Sequence, residues 1–148
     1  MTGKAEVSLS HLFSSAKLLN DVSDKISAQI KDIETALAAR GVGVTAWISL
    51  KSWDEEVGDH TLNYTASLGY AKHNGRWGLL HEVYCDQFGE ATTSFLRDVA
   101  REVRIDALEK LPDLFDRLAE ETQKLTETAH RNLSVAREIT AALNSNGR

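Results

Sequence analysis

Between two runs of alternating apolar and polar residues, one ending at Lys72 and the other beginning at Trp77, the chain reads His73-Asn74-Gly75-Arg76. A two-residue type I′ turn needs positive φ at both central positions, which Asn and Gly adopt at the least steric cost, so this tetrapeptide predicts a β-hairpin. Register follows by counting outward. Lys72 faces Trp77, Tyr70 faces Leu79, Leu68 faces His81 and Ala66 faces Val83 on the side assigned to the core. The other side carries Ala71 against Gly78, Gly69 against Leu80, Ser67 against Glu82 and Thr65 against Tyr84. A slip of one residue would exchange the two faces, so burial of either one fixes the pairing.

The flanking segments have different periods. From Ser8 to Arg40, Leu12, Ala16, Leu19, Ile26, Ile30, Ile33 and Leu37 recur in steps of three and four, with Ser23 the one polar interruption. That spacing predicts a long amphipathic helix over 8–40. Gly41 and Gly43 end it. Val42, Val44, Ala46, Ile48 and Leu50 then alternate with Thr45, Trp47 and Ser49, predicting a strand, and Lys51–His60 reads as an acidic loop leading to the hairpin. Helical spacing resumes at Phe95, Leu96, Val99, Val103 and Leu108, predicting a helix over 92–110. Pro112 lacks an amide hydrogen and suits the first turn of a new helix, expected over 112–143 with a frayed tail from Asn144 to Arg148. The expected fold is one α+β domain over 1–148. It has a three-stranded antiparallel sheet within 42–84, all helices on one sheet face, and the two long helices paired.

A chain of 148 residues and 16.4 kDa suits one core. Its net charge of −5 is concentrated between residues 51 and 90, where Lys51, Lys72 and Arg76 stand against seven acidic residues. A sheet with that balance is not built to neutralise phosphates, so no nucleic-acid partner is expected. The single Cys85 cannot form an intrachain disulfide, and no basic segment followed by an apolar one opens the chain, so the cytoplasm is the expected compartment. No run reaches the roughly 18 apolar residues a membrane helix requires.

No catalytic triad, nucleophile elbow, phosphate loop or zinc-finger spacing occurs, and neither cofactor nor metal is expected. His81 and Cys85 lie four residues apart on one strand, about 13 Å, too far for one ion, and read as a core-face imidazole and a small buried thiol. Asp54, Glu55, Glu56, Asp59 and His60 lack the ligand spacing of a calcium loop. Arg97, Arg101 and Arg104 share one helix stripe and form a possible anion clamp, although interleaved Asp98, Glu102 and Asp106 also fit a salt-laced solvent face. Trp47, Leu80, Glu82 and Tyr84 fall together on the outer sheet face beside two glycines. Aromatics there point to a partner or ligand surface, against partial cover by the neighbouring loop. The sequence thus suggests a non-enzymatic interaction protein of adaptor, inhibitor or chaperone-like type, dimeric through its long helices and meeting a possible protein partner at the sheet. The alternative is a small-molecule-binding protein or enzyme using the outer face around Glu82 and Tyr84.

Overall fold

The computed structural model describes residues 3–147, so Met1, Thr2 and the end of the expected tail at Arg148 lie outside it. The order is α1 (Lys4–Ala39), β1 (Ala46–Val57), β2 (His60–His73), β3 (Arg76–Cys85), β4 (Glu90–Phe95), a 3-10 turn over Leu96–Asp98, α2 (Arg101–Leu108) and α3 (Leu111–Asn146). The strands form one antiparallel sheet in the order β1-β2-β3-β4. The α+β class and the antiparallel sheet are as the sequence implies, but there are four strands rather than three.

The central hairpin keeps the counted register, from His73 opposite Arg76 through Thr65 opposite Tyr84. Asn74 and Gly75 have φ of 51° and 79°, the two positive values a type I′ turn needs. Lys51–His60 is not a loop. It completes β1 and turns at Gly58-Asp59 into β2, with Val57 opposite His60. A register shift between Ser49 and Lys51 brings one extra residue, Leu50, into β1. Such a bulge changes parity, so Trp53 points to the same side as Tyr64 and Cys85.

The segment expected as a helix over 92–110 is divided. Glu90–Phe95 extends along β3, the 3-10 turn reverses the chain, and only Arg101–Leu108 is α-helical. Thr92 and Thr93 are β-branched and gain ladder hydrogen bonds, which outweigh the helical spacing of the apolar residues after them.

Ile30 of α1, Ala46, Leu68, Tyr70 and Leu79 of the sheet, Leu96, Ala107 of α2, and Leu111, Leu114 and Leu118 of α3 form one buried cluster. The helices therefore pack on one sheet face. The Tyr70 hydroxyl, at the bottom of this cluster, donates to the Val42 carbonyl at 3.1 Å. The long helices do not pair along their length. α3 runs back along β1, from Lys110 beside Leu50 and Lys51 to Leu118 and Thr122 beside Val42, and meets α1 only at the latter's last turn near Leu37. α3 heads toward the Asn74-Gly75 end of the sheet and leaves the core by its C-terminal half, whereas α1 leaves it by its N-terminal half.

Candidate functional site

Trp47, Leu80, Glu82 and Tyr84 do share the outer sheet face, but they have different surroundings. Trp47, Gly69, Leu80 and Phe95 form one cross-strand row. The Trp47 indole lies flat over Gly69, where any Cβ would run into it, and Phe95 with the Glu34 carboxylate fills the corresponding space over Gly78. Two aromatic rings resting on two glycines thus roof the sheet from its own side chains, and Leu80 between them is only 1% exposed. One row further on, Glu82 accepts a hydrogen bond from the Thr93 hydroxyl at 3.1 Å, and Tyr84 stands exposed. Glu82 and Tyr84 are therefore the open part of this face, whereas Trp47 and Leu80 pack it.

Phe95 is also ringed by cations. The guanidinium carbons of Arg97 and Arg76 lie 5.1 and 5.5 Å from its centroid, and His73 meets it edge-on at 5.3 Å. Glu34 reaches this corner because β4 ends at Phe95, leaving the Leu79 N–H without a strand to bond. The Glu34 carboxylate accepts it at 3.3 Å. Burial pushes the Glu34 pKa up, against the opposing pull of Arg97, the Leu79 N–H and Arg76.

The arginine stripe separates by task. Arg101 donates to the Asn20 side-chain oxygen at 2.8 Å, and Arg104 donates to the Val99 carbonyl at 2.6 Å and to the Ser23 hydroxyl at 3.2 Å. These two fasten α2 to the middle of α1, while Arg97 lies on Phe95. The hydrogen bonds also account for Ser23, the polar interruption in the α1 seam, which is buried because Arg104 reaches it.

A cleft of about 230 Å³ opens between the inner sheet face and the end of α2, with Leu50, Lys51, Ala66 and His81 on the sheet and Val103, Asp106, Glu109 and Lys110 above. His81 is held below its ordinary pKa by burial and then by the Lys51 charge, which favours a neutral imidazole. Cys85 is buried one row beyond Val83, opposite Tyr64 and Glu90, and does not join this cleft. No group of three His, Cys, Asp or Glu side chains among the described residues could hold a metal ion. Sequence alternation does not reveal the cleft, because Lys51 reaches the inner face beside Leu50 only through the bulge.

Past the cleft the sheet runs on without helices. Trp53 stacks on Tyr64 at 5.4 Å with Lys51 over the indole at 5.3 Å, and exposed Val57 and Phe88 border Leu62 at the tip. Asp54, Glu55, Glu56, Asp59, Asp86 and Glu90 surround these groups, with Lys51 the one Lys or Arg in this part of the sheet. The result is an acidic surface set with aromatic and aliphatic side chains.

The largest apolar exposure is on the long helices. Leu9, Leu12, Phe13, Leu19 and Val22 on α1, and Leu125, Leu133, Val135, Ile139 and Leu143 on α3, are all exposed. Leu12 and Leu19 continue the stripe that Ile26, Ile30, Ile33 and Leu37 bury, and Leu125, Ile139 and Leu143 continue that of Leu114 and Leu118. A lone helix longer than its core contact gains little from propensity and is normally held by packing of its apolar face. No helix among the described residues is long and apolar enough to cross a membrane. No protein-family model, curated protein or solved structure matches the chain.

Proposed function

We propose that this chain is a non-enzymatic, oligomeric interaction protein of the cytoplasm, an adaptor, inhibitor or chaperone-like factor. It self-associates through the free halves of α1 and α3 and receives a protein partner on the open part of its sheet. The observation that carries this reading is the pair of apolar stripes continuing out of the core without cover. Exposed apolar area of that extent, edged by polar residues, is what association surfaces present. The partner it suits is basic, since the helix-free part of the sheet is acidic on both faces, around Trp53 and Tyr64 on one and Tyr84 on the other. Sedimentation equilibrium at rising protein concentration tests the self-association. Wild type should exceed monomer mass, and Leu19→Glu or Ile139→Glu should lower it while the near-UV circular dichroism of the sheet is unchanged. Monomer mass throughout would refute it.

A small-molecule reading is supported less by Glu82 and Tyr84, which stand on an open face, than by the cleft beside His81. Occupancy of that cleft would move the His81 ring resonances in NMR spectra while leaving those of His60 and His130 in place.

A further inference from the structure

Resting on that reading, we infer that the occupant of both free helices is a second copy of this chain, with α1 of each protomer lying antiparallel on α3 of the other. The core buries the C-terminal half of α1 and the N-terminal half of α3, and the two helices meet only near Leu37, so their free halves do not cover one another within the chain. A copy turned about a two-fold axis lays its α3 along the first copy's α1 and offers its own α1 to the first copy's α3. That arrangement is isologous and closed, and it leaves neither stripe open.

The heptad pattern supports the pairing. With Leu12 and Leu19 at d, the a positions of free α1 are Leu9 and Ala16; with Leu125, Asn132 and Ile139 at d, those of α3 are Thr122, Ala129, Ala136 and Leu143. From Thr122 to Leu143 every charged side chain falls at b, c or f, and on α1 from Lys4 to Val22 only Glu6 departs from this. Both helices thus present a face four positions wide without charge, apart from that glutamate. Antiparallel helices set a against d, and the register that seats Leu12 and Leu19 on Ala136 and Ala129 of the other copy sets Leu9 on its Ile139 and Ala16 on its Asn132. At Leu12 and Leu19 bulky side chains meet small ones, as knobs require holes.

The area also asks for both contacts. At about 1.5 Å per residue, the free part of α1 spans roughly 28 Å, and a helix presents a face about 10 Å wide. Two reciprocal contacts then cover roughly 1,100 Å², close to the lower bound of about 1,200 Å² for specific interfaces, whereas one alone supplies half of that.

The experiment uses the full chain in a Cys85→Ala background with a short bismaleimide. Leu12→Cys and Ala136→Cys variants should each give little covalent dimer alone and abundant dimer when mixed. Particles of dimer mass in which Ala136→Cys links to itself, or in which the mixture gives no cross-link, overturn the reciprocal pairing but leave self-association standing. Monomer mass at every concentration overturns both. Should either cysteine variant lose the native near-UV spectrum, Leu19→Cys with Ala129→Cys asks the same question one heptad along.

Discussion

Gly69→Ala is the sharpest test of the outer face. The new methyl group would enter the space of the Trp47 indole, and Gly69 cannot retreat, because it is held in the ladder between Trp47 on β1 and Leu80 on β3. Overpacking of this kind typically costs about 1 to 3 kcal/mol, and lifting a half-buried indole off the sheet also re-exposes Leu80, which is worth roughly 1.5 to 3 kcal/mol if fully uncovered. Partial relief makes about 3 kcal/mol the expected total, a large share of the roughly 5 to 15 kcal/mol that holds an ordinary domain folded. Urea unfolding followed by far-UV circular dichroism measures it. The decisive comparison is a double-mutant cycle, since Trp47→Ala removes the obstructing ring and should make Gly69→Ala nearly neutral. An equal cost in both backgrounds would mean that the methyl group never meets the indole, and the account of a face roofed by its own aromatics would fail.

Gly75→Val forces a β-branched residue into φ near +79° and should destabilise by about 1 to 3 kcal/mol; an unchanged urea midpoint would remove the turn as the register's anchor. Arg104→Met keeps the stem but leaves the Val99 carbonyl and Ser23 hydroxyl without their donor, at a cost of about 1 to 3 kcal/mol in the same assay, and amide exchange in α2 should quicken. Glu34 has a raised folded pKa, so its contribution is full below its unfolded value near 4.5 and is lost as pH rises through the folded one. Glu34→Gln should therefore flatten stability against pH just above 4.5. His81 has the opposite sign. Its lowered folded pKa contributes stability above the unfolded value of 6.5 that disappears as pH falls through the folded one, a slope that His81→Gln should remove.

What could be read from the chain, and what could not, divides along local against non-local causes. Asn74-Gly75 fixes ten paired positions because turn chemistry and face parity are both local. The second hairpin carried a comparable signal in Gly58-Asp59, but the acidic run of Asp54, Glu55 and Glu56 masks the alternation that would identify β1 as a strand beyond Leu50. At β4 two periods conflict. Phe95, Leu96 and Val99 have helical spacing, yet Phe95 is held by the empty surface over Gly78, a residue seventeen positions earlier. Parity sets Trp47, Leu80, Glu82 and Tyr84 on the outer face, but whether they are open depends on which rings rest on Gly69 and Gly78, and no period in the sequence encodes that. The helix seams are the reverse case. The α1 heptad runs from Leu12 to Leu37 with Ser23 its one polar interruption, the α3 seam is diluted by Thr122 and other small residues, and only the fold reveals that the core uses half of each. Leu12 and Leu19, and again Leu125 and Ile139, keep the pattern where no described residue of the chain covers them, and an uncovered stripe of this kind is the ground on which self-association is proposed.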